Sequence, residues 1–369
     1  MVYLKTFKIA FLLFPIVAFL ITIPFILIEY HKYGSINKLR TLIIYSFILY
    51  LMTVYFLVIL PLPSREEVAS LTTPKYQLIP FKFIYDFFKE TPLVWNNPAT
   101  YLKAIKDASF YTVVFNILMT IPFGMYLRYY FQCDLKKTIK WSFALSLFFE
   151  LTQATGLYFI YPRPYRLFDV DDLMMNTLGG ILGYYLGSFL KFLPSRSSID
   201  RHTKETAKMV SGLRRVTLFC LDFFLFNLID GVCLLIVSNF SRSIILRRVI
   251  SLIIFLTYYV LGPYLFDGKT IGSNFVHVKF KLSKRRGLSL LLKVFCEYSY
   301  YFLIPWGGFY FLFNGLSYGN IDIMGKVMIF IILGLIYIVI YVDNFIRLLK
   351  RHKMFYDKVS GVEFVSTIE

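Results

Sequence analysis

The sequence predicts an all-α fold, a polytopic integral membrane protein of about nine transmembrane helices in two bundles. Three observations predict it. Apolar runs of roughly 18 residues or more recur, each long enough for about 30 Å of hydrocarbon. Hydrophobic residues make up 57% of the 369-residue chain and charged residues 17%, a balance foreign to soluble domains. No series of alternating segments of about ten residues, the mark of a transmembrane barrel, is visible.

The spans are expected near 7–28, 41–60, 108–130, 139–160, 172–193, 215–237, 246–266, 291–313 and 326–346. The first apolar run is too long for a signal-peptide core and has no small-residue cleavage site before Glu29, so it reads as a retained span. The fourth carries Glu150 and Gln153. The eighth carries Glu297 and is broken by Pro305 and Gly307-Gly308. Between the second and third spans, "YQLIPFKFIYDFF" (76–88) interleaves aromatics with Lys82, Asp86 and Lys89, which suits a re-entrant or interfacial segment.

Residues 194–212 are polar and basic and form the clear linker. The expected organisation is an extra N-terminal helix and loop (1–37), a first transmembrane domain (38–193), the linker, and a second transmembrane domain with a cytoplasmic tail (213–369). No internal repeat joins the halves. Net charge is +18, and the larger share of Lys and Arg falls on one set of alternate loops. That bias predicts an outer N-terminus and an inner C-terminus. Without zinc-finger spacing or an isolated basic domain, the charge speaks for an anionic leaflet rather than nucleic acid. The four cysteines show no ligand spacing and read as buried structural thiols. His31, His202, His277 and His352 are expected in inner-side loops, with interfacial roles.

Polar residues inside spans carry the chemistry. Ser146, Glu150 and Gln153 share one helix face, and Asp169, Asp172 and Asn176 share another. Asn116 and Thr120 lie inside the third span. Arg163 and Arg166, in the proline-broken "YPRPYRLFD", are the cations on offer to Glu150. Asp169 is placed to cap the fifth span, and Asp171 reads as a cap or solvated carboxylate at its positive end. Gly179, Gly183 and Gly187 recur every four residues, which permits close helix approach. An ionisable group in mid-span costs about 2.5–3.5 kcal/mol on insertion scales, so such groups gather around a ligand or in a tight mutual network. The acids have the oxygen chemistry of a Mg²⁺ or Ca²⁺ site, but the adjacent arginines oppose it. No metal and no cofactor are expected.

"YQLIPF", "NILMTIPFGMYL" (116–127), "SLFFELTQ" (146–153) and "YRLFDVDDLMMNTLGGILGYYLG" (165–187) together resemble the VanZ-like family over about 38–193. Gln77 departs from the asparagine common before Leu-Ile-Pro-Phe. The family's prototype is associated with low-level teicoplanin resistance. The resemblance therefore implies a role in the bacterial cell envelope, in the cell membrane.

In the second half, "LRRVTLFCLDFFLF" (213–226) places Arg215 and Asp222 on one face, with Arg215 snorkelling to the inner surface. "FDGKTIGSNFVHVKF" (266–280) contains a turn and an alternating strand-like stretch, and the chain ends "DKVSGVEFVSTIE". These pieces resemble the RDD family over about 213–366, with Arg215, Asp222 and Asp357 at its naming positions. That resemblance implies cation or proton movement, while an Arg–Asp staple between helices remains the plain structural reading.

The functional expectation is an outward-facing polar pocket for an anionic or polyol envelope component, such as a lipid-linked cell-wall precursor. Its residues are Asn116, Glu150, Gln153, Arg163, Arg166, Asp169, Asp172 and Asn176, with the arginines holding phosphate and Glu150, Asp169 and Asp172 holding hydroxyl or ammonium groups. Two other classes stay open. One is an enzyme using paired acids on a lipid head group. The other is a transporter titrating Asp222. No P-loop, G-x-S-x-G, H-E-x-x-H or Rossmann pattern is present.

Overall fold

The structure, a computed structural model, describes residues 2–282, 286–299, 323–349 and 353–368. It divides into two compact units, 1–21 with 37–199 and 22–36 with 200–369. The first helix, α1 (Val2–Tyr33), contributes to both.

In the first unit α2 (Lys38–Ile59) follows, then the short α3 (Arg65–Ser70), β1 (Tyr76–Gln77), α4 (Lys82–Glu90) and α5 (Tyr101–Ile105). The bundle continues with α6 (Ala108–Tyr129), α7 (Leu135–Ala154), a single left-handed turn α8 (Gly156–Phe159), β2 (Phe168–Asp169) and α9 (Val170–Leu186). Short polar side chains start the four long helices that follow α1. Asn37, Asp107, Asp134 and Asp169 accept N-terminal amides of α2, α6, α7 and α9. Such caps satisfy donors that the helix itself cannot, and losing one costs about 1 kcal/mol. Helix α4 is amphipathic, with Ile84, Tyr85 and Phe88 exposed beside Phe81 and Trp95, as an interfacial helix requires.

Helix α10 (Arg196–Ala207) runs across the boundary, and the second unit continues with α11 (Gly212–Ser238), α12 (Ile244–Leu256), α13 (Gly262–Leu265), α14 (Ile271–Phe275), β3 (Val278–Lys281) and α15 (Arg286–Tyr298). Two helices, Ile323–Leu349 and Phe355–Ser360, and the strand β4 (Glu363–Ser366) complete it. A wide π-type turn, Thr257–Leu261, joins α12 to α13. Pro263 follows it and has no N–H for a regular helical bond, and the wider turn accommodates that loss. The C-terminal tail is not loose, because β3 and β4 pair antiparallel from Val278↔Ser366 to Lys281↔Glu363. The core below gathers Tyr30, Leu218, Val276, Val278, Phe280, Leu290 and Val362.

The chain is an α-helical membrane protein. Five of the described helices are long and apolar enough to cross a bilayer: Lys8–Tyr33, Lys38–Ile59, Ala108–Tyr129, Gly212–Ser238 and Ile244–Leu265. Helix α7 carries three lysines and Glu150, and α9 has 17 residues, so polarity and length set these two apart. The expected eighth span begins in α15, and its remainder with Pro305 and Gly307-Gly308 lies outside the described residues, as does His352.

The expected linker is largely helical, with Ile199, Thr203 and Ala207 buried at four-residue spacing on one face of α10. Two expectations are corrected. His31 and His202 sit in helices rather than loops. Cys220 is exposed and Cys133, Cys233 and Cys296 are half-buried, so none of the four thiols is fully buried.

The tightest packing is α9 against α6. A Cβ at Gly183 would collide with the carbonyl oxygen of Ile121, and one at Gly124 with that of Gly180. The two backbones therefore approach to a distance that only glycine permits. Gly231, on α11, faces open space. Replacing Gly183 by Leu should destabilise the intact chain in detergent by roughly 1–3 kcal/mol or more. Gly231→Leu should change little, and equal thermal unfolding midpoints for the two variants would contradict this packing account.

Candidate functional site

Four helix ends meet at one end of the first unit. They are the C-terminal ends of α2 and α7 and the N-terminal ends of α6 and α9. Between them lies a cavity of about 340 Å³. Its apolar wall includes Leu57, Val58, Phe115, Met119 and Phe149, and its polar lining is Thr112, Asn116, Glu150, Gln153, Arg166, Asp172 and Asn176. The size is that of small-ligand sites, and a few convergent polar groups on an apolar wall are their usual chemistry.

Six of these polar groups are held by their neighbours. Glu150 is buried, and its Oε2 accepts the backbone N–H of Asp169 at 2.9 Å. Asp172 Oδ1 accepts the amide of Asn116 at 2.5 Å. Asn176 donates to Ser146 Oγ at 3.0 Å, and Ser146 donates in turn to the Asp172 carbonyl at 3.3 Å. Thr120 Oγ1 donates to the Asn176 carbonyl at 2.8 Å, tying α6 to α9. Gln153 donates to the Val58 carbonyl at 3.3 Å. Arg166 gives one Nη2 bond to the Leu60 carbonyl.

Six of the eight expected residues thus line one cavity: Asn116, Glu150, Gln153, Arg166, Asp172 and Asn176. Two do not. Arg163 donates from both Nη atoms to the carbonyls of Leu71 and Thr73, so it holds the loop after α3. Asp169 caps α9 through the Asp171 amide at 2.8 Å and accepts Gln77 Nε2 at 3.2 Å. Burial raises the Asp169 carboxyl above the ordinary aspartate value, and its hydrogen bonds from the Asp171 amide and Gln77 work against that rise. The cation expected beside Glu150 is replaced by the Asp169 amide, since the proline-broken loop turns Arg163 away.

Asp171 departs most from expectation. It is 3% exposed rather than solvated, and it accepts the backbone N–H groups of Phe81 at 2.6 Å and Phe83 at 2.9 Å. Gln77, also buried, bridges Asp169 and Asp171 and closes an amide turn on Ile79. The parallel pairs Tyr76↔Phe168 and Gln77↔Asp169 complete the clasp. The quoted "YQLIPF" contains these donors, but nothing in its pattern names Asp171 as their acceptor.

In the second unit Asp222 accepts Tyr258 Oη at 2.7 Å, Thr270 Oγ1 at 2.7 Å and the Gly272 amide at 3.0 Å. Arg215 does not share that cluster. Instead of snorkelling, it is mostly buried and pairs with Asp357, both of whose oxygens it reaches. Asp357 also caps the Phe355–Ser360 helix. The neighbouring Arg214 is fully buried, donating to the carbonyls of Ala207, Val276 and His277 and to Ser366 Oγ. The "RR" pair signals both arginines, and spacing alone does not distinguish their roles. Tyr258 was invisible as a partner because aromatic residues crowd every span. Among the described residues no three His, Cys, Asp or Glu side chains are grouped to hold a metal ion.

Fold and site together define an α-helical membrane protein with a buried polar cavity at one end of its first bundle. Residues 47–193 match the family model described as VanZ/LLP1, which contains every residue lining that cavity. The match ends at residue 193 and does not extend into the second unit. No curated protein and no solved structure matches the chain.

Replacing Asp171 by Ala leaves two backbone donors without their acceptor, at a cost of about 1–3 kcal/mol. Hydrogen–deuterium exchange of segment 76–90 should accelerate in that variant while α6 stays protected. Unchanged exchange at Phe81 and Phe83 would show that Asp171 does not hold the loop.

Proposed function

We propose that the VanZ-like part binds a polar envelope component, anionic or polyol in character, in the cavity between α2, α6, α7 and α9. The carrying observation is that seven polar side chains from three helices and one loop converge on a space large enough for a head group or sugar. A bundle gains nothing from keeping such a space open, since unpaired polar groups cost energy that close packing would avoid. In this reading the cavity faces the outer leaflet, with the N-terminus outside and the C-terminus cytoplasmic. The amphipathic α4 then rests at the same interface. The bound component is a lipid or a lipid-linked cell-wall precursor, and its capture affects susceptibility to teicoplanin-type glycopeptides. An enzymatic version has Glu150 and Asp172 act as acid and base on the head group, and turnover of labelled envelope lipids in proteoliposomes separates it from binding alone.

The test is mass spectrometry of lipids that co-purify with the wild type and with Asp172→Ala. One polar lipid class should be enriched in the wild type and lost from the variant at equal protein yield. Identical lipid profiles would refute the reading.

A second reading concerns residues 213–366 as an RDD-like module that moves a cation or proton. It is favoured by the Arg215–Asp357 pairing across 142 residues and by Tyr258 and Thr270, which hold Asp222 and border a cavity of about 600 Å³. Cation flux in proteoliposomes should fall with Asp222→Asn and persist with Glu150→Gln. Equal flux in wild type and Asp222→Asn would dismiss it.

A further inference from the structure

The hydrogen-bond directions in the first-unit cavity carry more than its polarity. Each of the three amide side chains gives one N–H to the protein, and each of the two carboxylates keeps an oxygen open. Asn116 gives its amide to Asp172, Asn176 to Ser146, and Gln153 to Val58. Glu150 uses Oε2 and Asp172 uses Oδ1 to accept from the protein. Among the described residues, Glu150 Oε1, Asp172 Oδ2 and Gln153 Oε1 receive no hydrogen bond. Asn176 is 3% exposed, and its Oδ1 is buried without a partner. The Asn116 amide orientation is fixed, because only its nitrogen can serve the Asp172 carboxylate.

The charge count points the same way. Two carboxylates line the cavity against one guanidinium, that of Arg166. Arg163, the second cation that an anion site would use, is committed to loop carbonyls. Open carboxylate and amide oxygens, under a negative balance, recognise a compact cation that brings its own N–H groups. A divalent metal fits less well, since the Arg166 guanidinium lines the same cavity and opposes a second positive charge there.

We propose that the group seated between Glu150, Asp172, Gln153 and Asn176 is a primary ammonium, carried by the head group that this cavity binds. Its three N–H donors are shared among the open oxygens, and its charge offsets the paired acids. Arg166, on the cavity wall, is left to face an anionic portion of the same ligand, such as a phosphodiester. The inference rests on the reading of the cavity as a ligand site and narrows it from anionic or polyol to amine-bearing.

The full chain in nanodiscs, analysed by native mass spectrometry, tests this with three head groups. Phosphatidylethanolamine offers a charged N–H donor, phosphatidylcholine the charge without donors, and phosphatidylglycerol hydroxyls without the cation. Wild-type protein should retain phosphatidylethanolamine roughly tenfold or more over both others, the scale of charge-assisted hydrogen bonds. E150Q and D172N should each erase that preference while phosphatidylcholine retention stays as in wild type. Competition by soluble glycerophosphoethanolamine would assign recognition to the head group alone, and its failure beside retained lipid would assign it to the membrane-borne form. Preferential retention of phosphatidylglycerol that is lost in D172N would overturn the ammonium and leave the binding site standing. Equal retention of phosphatidylcholine and phosphatidylethanolamine by the wild type overturns it without any variant. No head group retained above the level of an E150Q/D172N double variant would overturn the site as well.

Discussion

Three carboxylates within four residues begin a helix that enters a membrane protein's core, and each must find hydrogen-bond donors where water is scarce. The first unit is organised by how that demand is met. Asp169 turns back to cap its own helix, Asp171 reaches out to the loop amides of Phe81 and Phe83, and Asp172 reaches across to Asn116 on α6. One short stretch thereby binds its own helix, an interfacial segment and a neighbouring helix. Charge placed at a positive helix end lowers the cost of the arrangement.

Glycine makes this geometry reachable. With Gly124, Gly180 and Gly183 at the crossing, α6 and α9 touch backbone to backbone. That closeness lets Thr120 donate to the Asn176 carbonyl and brings Asn116 within reach of Asp172. A bulkier crossing would separate the two helices, break the Asn116–Asp172 and Thr120–Asn176 bonds and widen the cavity. Packing and polar chemistry are therefore one design here.

The second unit solves a similar problem with cations. Arg214 is completely buried and saturated by backbone carbonyls and one hydroxyl, so it works as a hub for chain segments. Arg215, one residue on, pairs with an acid near the far end of the chain. Adjacent helix positions differ by about 100° in direction, which sends two identical side chains to different tasks. The paired strands β3 and β4 bring the C-terminal segment within reach of both.

The sequence by itself determined the class, the principal membrane helices, the cap of α9, the glycine crossing and most of the cavity's polar lining. All follow from local regularities: hydrophobic length, the 3.6-residue period, and the short list of side chains that cap helices or pass close to backbones. Tertiary structure alone decided the partners. Whether Arg163 points into the cavity or to Leu71, whether Asp171 meets water or the Phe81 amide, and whether Arg215 meets Asp222 or Asp357 each depend on segments 90 or more residues apart. Spacing within one helix shows which face a group occupies, but the element opposite that face is set by the folding of the rest of the chain.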